Sequence, residues 1–264
     1  MIAFLTDFGL QDDFVGTCHG VIAGIAPEAK VVDITHGIAP QAVLQGALVL
    51  RRSLPFMPAG IRLAVVDPGV GSERRAVALR TADGTHFVGP DNGLLALAAD
   101  ELGIEVAHEL TSERHRLPSV SRTFHARDVF APAAAHLANG VELPELGPAI
   151  DPAGLVRVTV PEPDLGASQV AATVLSVDRF GNVALNLDRV HLAALGLEPG
   201  TRAEVRLPYE RYYALVVGTF ADAAQGELIL YEDAYGLVTL AITGGDAFRL
   251  TGVGPGDEVR LVRS

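Results

Sequence analysis

The chain changes rhythm once, near residue 160, and this change constrains the fold more than any single residue does. Before it, strand-like and helix-like segments alternate. IAFLT reads as a buried strand that ends at Asp7. DDFVGTCHGVIAGIAPEA follows with an Asp cap and with apolar Phe14, Cys18, Val21, Ile22 and Ile25 at helical spacing. KVVDIT reads as a second strand, and a helix is expected from about Pro40 to Leu54 with proline at its start. IRLAVV, AVALR and THFVG are further strands. GPDNG opens a short Leu/Ala helix, and ARDVFAPAAAHLANG forms another, closed by Gly140. Such interleaving predicts an α/β domain over residues 1–160, with a mostly parallel sheet covered on both faces. DPAG and PEPDLGAS, between Pro148 and Ser168, read as a linker. Beyond it come QVAATVLSVD, NVALNL, RAEVRLP, YYALVVG, GELILYE, GLVTLAI and DEVRLV, split by Gly and Pro turns, with only RVHLAALGL helical. Many short strands in residues 168–264 predict a small β-barrel or sandwich.

Composition narrows the function classes. With 49% hydrophobic and 20% charged residues, the 264-residue chain is expected to pack a core rather than remain disordered. A formal net charge of −12 disfavours nucleic acid as a partner. It also suits a cationic small molecule, but weakly, because many ordinary proteins are equally acidic. Cys18 is the sole cysteine, so no intramolecular disulfide can form, and its place in an apolar stripe makes it a core residue. No apolar run is long enough to cross a bilayer, and MIAFLTDFG lacks the basic start of a signal peptide. A cytoplasmic location is expected.

In a parallel sheet, ligands gather beyond the carboxyl ends of the strands. Asp7, Asp67 and Asp91 fall in that zone, with Asp33 inside VVDIT less clearly placed. Single acids at strand ends are also common turn formers. Asp67-Pro-Gly-Val-Gly-Ser-Glu-Arg-Arg is the first constellation: a rigid turn fixes the carboxylate, and Arg74 reaches it if the loop doubles back. A surface salt bridge on a turn is the plain alternative. The second runs from Thr123 to Asp128, where His125 enters a helix. It could hold or deprotonate water, or merely pack while Thr123 or Asp128 caps the helix. The third comprises Asp178, Phe180 and Asn182 in DRFGN, with Thr219, Phe220 and Asp222 in TFAD. Carboxylates grip sugar hydroxyls, amides read base edges and rings stack on bases. Turns plus core aromatics is the alternative there. Walker, G-x-G-x-x-G, G-x-S-x-G, H-E-x-x-H and paired-cysteine patterns are missing.

TDFGLQDDFVG, VVDITHGIAP, VVDPGVGSERR, FVGPDNG, TFHARDVFAP, DRFGN and TFADAAQGELILY together resemble, in order, the SAM (S-adenosylmethionine) hydroxide adenosyltransferases, relatives of the fluorinases and chlorinases. The resemblance implies a homotrimer with SAM between the N-terminal domain of one subunit and the barrel of the next. It implies attack of water or hydroxide on the ribose 5′ carbon, with adenosine and methionine as products and no cofactor. By motif position it assigns Asp67, Arg74 and His125 to catalysis, Asp7 to the ribose and Asp12 to the methionine amino group. Asp178, Asn182 and Phe220, grouped with Phe180 and Tyr235, are expected to contact adenosine or methionine. Asp233-Ala234 departs from the family's usual Asn-Ser. Gln41 stands where fluorinases carry tryptophan, and Asp67 where they carry tyrosine; both disfavour halide as nucleophile. The alternatives are a SAM-dependent halogenase, a non-catalytic SAM or adenosine sensor, and a metal-dependent hydrolase built on Asp7, Asp12, Asp33, Asp67 and His125.

Overall fold

The computed structural model describes residues 1–263, which form one compact unit over Met1–Thr159 and another from Val160 onward. The first unit runs β1 (Ile2–Thr6), α1 (Phe14–Ile25), β2 (Val31–Thr35), α2 (Val43–Ser53), β3 (Ile61–Val65), β4 (Ala76–Thr81) and β5 (His86–Pro90). It continues with α3 (Ala96–Glu101), β6 (Ile104–Glu109), α4 (Ala131–Ala138), α5 (Leu143–Leu146) and β7 (Ala149–Ile150). The strands form one sheet in the order β2-β1-β3-β5-β4-β6-β7.

Strand alternation sends side chains to both faces of this sheet. Ile2, Phe4, Ile61, Leu63 and Val65 pack with Cys18 and Ile22 of α1 and with the alanines of α4. Leu5, Ala64 and Val66 pack on the other face with Val49 and Leu50 of α2 and Ala98 and Ala99 of α3. The expected α/β architecture is present, and its sheet is mixed. β2, β1, β3 and β5 run parallel, whereas β4, β6 and β7 add antiparallel. The cause is the turn between β4 and β5. Gly84 takes φ 83°, and Asp83 accepts from Thr81 Oγ1, Thr85 N and Thr85 Oγ1. So short a connection joins only antiparallel neighbours.

Three local expectations shift. β6 was not expected as a strand; its charged residues break the apolar run that marked the others. α2 begins at Val43 rather than Pro40, because Gln41 turns into a left-handed conformation at φ 66°. The expected linker is partly anchored. Asp91 accepts from Val156 N at 2.9 Å and from Arg75 Nη2 at 2.6 Å, while Arg75 also donates to Gly154 O at 2.7 Å. Asp91 is thus a structural latch, the turn-forming alternative for this acid. Burial pushes the Cys18 thiol up to about 12, as suits a core residue.

The second unit holds β8 (Asp164–Leu165), β9 (Gln169–Val177), β10 (Val183–Leu185), α6 (Arg189–Ala194), β11 (Arg202–Arg206) and β12 (Arg211–Val216). β13 (Leu228–Glu232), β14 (Val238–Ile242), α7 (Ala247–Thr251) and β15 (Glu258–Arg263) complete it. The order β10-β14-β13-β12-β11-β15-β9 returns to β10, closing a barrel, and β8 extends the sheet beyond β9. Val170, Val174, Val205, Leu230, Leu240 and Leu261 fill its interior.

Candidate active site

The loop after β3 doubles back. Val70 N donates to Asp67 O at 3.2 Å, and Ser72 donates to Gly69 O through both its amide, at 3.1 Å, and its hydroxyl, at 2.6 Å. Gly71 adopts φ 79°, and a Cβ there would lie 2.5 Å from Arg122 O. Only glycine lets the two loops approach so closely. The doubled loop returns Arg74 to Asp67 as a bidentate pair: Nε to Oδ1 at 3.1 Å and Nη2 to Oδ2 at 2.5 Å. Both side chains are 7% exposed, which sets aside the surface salt bridge as the reading of this loop. The guanidinium also stands over the Phe130 ring, 5.3 Å from its centre.

Arg74 Nη2 lies 3.2 Å from His125 Nδ1. Arginine has no acceptor atom, so Nδ1 accepts and the neutral ring carries its proton on Nε2. Burial, then the neighbouring Arg74 charge, hold the His125 pKa below its usual 6.5. Burial raises that of Asp67, opposed by Arg74, while Asp7 adds to the rise. A neutral imidazole and a carboxylate therefore share one guanidinium.

His125 immediately precedes a π-helical turn, Ala126–Phe130, that leads into α4. Neither Thr123 nor Asp128 caps this turn. Asp128 is fully buried and accepts from Ser121 N at 2.7 Å and from Arg127 Nε at 2.6 Å. It anchors the loop on which His125 stands. Asp7, directly after β1, accepts from Gln41 N at 2.8 Å. Gln41 is the one non-glycine among the described residues with positive φ.

Asp7, Asp67 and His125 line one cleft of about 370 Å³ with Gln41, Val70 and Thr123. Phe8, Phe14 and Phe124 wall it, meeting edge to face with ring centres 5.2–5.9 Å apart. The sequence reading missed Phe8 and Phe124 and took Phe14 for core. Phe14 is 41% exposed, and its position as the first residue of α1, directly after the cap, was the available signal. Asp12 is exposed in the loop before α1 and is not among the residues lining the cleft.

In the second unit, Asp178 accepts from Phe180 N, Asn182 N and Asn182 Nδ2 at 2.7–2.9 Å, so DRFGN forms a self-bonded turn. Phe180 projects from it, 75% exposed. The Phe220 ring lies 4.7 Å from that of Tyr231, whose pKa is raised by burial and then by Asp233 and Asp178. Asp178, Phe220, Tyr231 and Asp233 therefore gather at one part of the barrel. Tyr235 lies in the next turn, its amide donating to Asp233 Oδ1 at 2.8 Å.

The first unit therefore carries a bidentate Asp–Arg pair with a histidine at the end of parallel strands, and the second is a closed barrel. The family models of the SAM hydroxide adenosyltransferase N-terminal and C-terminal domains match residues 2–147 and 172–260. The chain belongs to the SAM hydroxide adenosyltransferase family. An (R)-S-adenosyl-L-methionine hydrolase from Salinispora tropica is 49% identical over 263 residues, covering 98% of this chain and 97% of its own. A Thermus thermophilus protein of the same name is 39% identical over 99% of both chains. A fluorinase from Actinoplanes is more distant at 31%, over 91% and 90%. The crystal structure of an uncharacterized conserved protein from Thermotoga maritima superposes with a TM-score of 0.91 at 36% identity, covering both chains fully.

The site's electrostatics are open to direct measurement. In a ring-proton NMR titration, His125 is expected to stay neutral as pH falls through 6.5 and to titrate below it. A midpoint above 6.5 would contradict the arrangement of Arg74 and His125.

Proposed function

We propose that this protein hydrolyses S-adenosyl-L-methionine to adenosine and L-methionine, with the reaction centred on Asp67, Arg74 and His125. The observation that carries the reading is the shared guanidinium of Arg74, which holds a carboxylate and a neutral imidazole at one cleft. Nearly full-length relatives at 39–49% identity that bear the SAM hydrolase name support it.

The chemistry asks for alignment more than for acid catalysis. Water oxygen forms a bond to C5′ as the C5′–S bond breaks. The sulfur keeps the bonding pair and leaves as a neutral thioether, so no proton need be supplied to it. One proton must leave the attacking water. His125 Nε2–H donates to that water's oxygen and orients it. Asp67, made more basic by burial, accepts the proton before solvent does. Arg74 keeps Asp67 in place and fixes the His125 tautomer. Two carboxylates at one cleft, Asp7 and Asp67, favour a sulfonium cation and oppose a halide nucleophile. Asp7 meets the ribose hydroxyls, and Asp12 meets the methionine ammonium. No cofactor takes part, and the setting is the cytoplasm.

The substitutions Asp67→Asn and His125→Ala are expected to lower kcat by roughly 10²–10⁴ while changing SAM affinity much less. Chromatography of SAM incubations, with fluoride and chloride in parallel, reads both the loss and the product. Undiminished cleavage in both variants would refute the assigned roles, and a halogenated adenosine in place of adenosine would refute hydrolysis. Because neutral His125 is the working form, kcat/KM should decline only as pH drops below 6.5, through the depressed pKa.

Asp178, Phe180, Asn182, Phe220 and Tyr235 are assigned to the adenosyl and methionine portions. Phe220→Ala is expected to weaken adenosine binding by about 1–3 kcal/mol, and calorimetry showing no loss would remove stacking from the account. The active species is taken to be a homotrimer, in which the barrel of one copy serves the cleft of another. Sedimentation of the protein as a single chain at assay concentration would exclude it.

A further inference from the structure

Apart from the residues lining the cleft, three side chains that the proposed reaction does not use converge. His19 on α1, Asp33 on β2 and His36 just after β2 bring one ligand atom each to within 4.8 Å of one another. His19 Nε2 is 2.9 Å from Asp33 Oδ1, an ordinary hydrogen bond. His36 Nε2 lies 3.1 Å from the same oxygen yet makes no hydrogen bond, and it is buried without another partner. Its side chain is only 3% exposed. The ring is held from the other side, with Nδ1 2.8 Å from Thr6 Oγ1, and it meets the Phe4 ring in a T-shaped contact with centres 4.9 Å apart. A His–Asp hydrogen bond explains His19 and leaves the orientation of His36 Nε2 unexplained, since a buried polar atom ordinarily finds a partner.

We propose that His19, Asp33 and His36 bind a divalent transition-metal ion. Two imidazoles and a carboxylate are a common ligand set for such ions, zinc among them. At bond lengths of about 2.0–2.1 Å, tetrahedral ligands stand about 3.3 Å apart; both imidazole nitrogens lie near that distance from Asp33 Oδ1, at 2.9 and 3.1 Å, and all three atoms lie within 4.8 Å. When His36 donates Nδ1–H to Thr6 Oγ1, Nε2 presents its lone pair to the ion, the usual outer support of a ligating histidine. His19 and Asp33 are 35% and 43% exposed, so solvent can reach the remaining coordination position. The ion would tie α1 to β2 behind the loop carrying Asp7, since Thr6 precedes that residue and His36 O accepts from Gly9 N at 2.8 Å. This is not the acid set weighed from the sequence: Asp33 is the only residue common to both. Asp7 and Asp67 stay with the cleft.

The test reads metal uptake, so it stands apart from SAM hydrolysis. Full-length protein, stripped with EDTA and desalted, is titrated with Zn²⁺ by calorimetry, and with Co²⁺ while following its visible absorption. One equivalent per chain is expected, with affinity falling by roughly tenfold or more in His19→Ala and in Asp33→Asn. Both positions are partly exposed, so these variants should fold, which circular dichroism checks; the buried His36 is a riskier substitution. No stoichiometric uptake, or the same uptake in both variants, would overturn the site.

Discussion

The Asp67–Arg74 pair is the interaction around which the polar side of the first unit's cleft is arranged. Burying a carboxylate and a guanidinium is costly unless their geometry and hydrogen bonds are complete. Here the geometry is bidentate, the guanidinium stacks on Phe130, and a further contact goes to His125, while Nη1 is buried without a hydrogen-bond partner. Everything nearby serves to keep that fork aligned. The Pro68–Gly71 turn doubles the loop back, Gly71 admits the neighbouring backbone, and buried Asp128 fixes the approach to His125. The pair sets the histidine's tautomer as a matter of hydrogen-bond logic rather than proximity alone.

The cleft combines this polar floor with an aromatic wall. Phe8, Phe14 and Phe124 come from three separate segments, the β1 loop, the start of α1 and the loop before the π turn. The rings meet edge to face, and Phe8 and Phe124 also pack against the core beneath. A negative floor under an apolar wall distinguishes ligands by sign and shape together, in keeping with the family's substrate.

Much of this was legible in the sequence. The strand-helix rhythm located β1, β2 and β3, and with them the acids at their ends, because period and turn chemistry are local. The return of Arg74 to Asp67 was readable as a possibility, since a Pro-Gly turn and seven-residue spacing permit it. Its realisation depends on Gly71 meeting Arg122, a contact between segments about fifty residues apart, which no local pattern encodes. The same limit hid the His19–Asp33–His36 group, whose members sit on a helix, a strand and the loop after that strand. β6 escaped because its alternation carries Glu105 and His108 where other strands carry aliphatics. Asp91 and Asp7 look alike as acids after strands. Only the fold shows that one latches the 154–156 segment while the other faces the cleft.

The π turn between His125 and α4 carries a consequence for how the segment can vary in length. A π turn holds one residue more than the α turn it replaces. Each residue advances an α-helix by about 100°, so that surplus residue sets the phase between the histidine and the alanine face of α4 that packs on the sheet. Deleting any single position from Ala126 to Phe130 would restore regular winding and rotate one side against the other. Either the imidazole would swing from the guanidinium or the alanines would leave the core. Spacing is thus a constraint on these five positions beyond the one that identity already sets at buried Asp128 and Phe130.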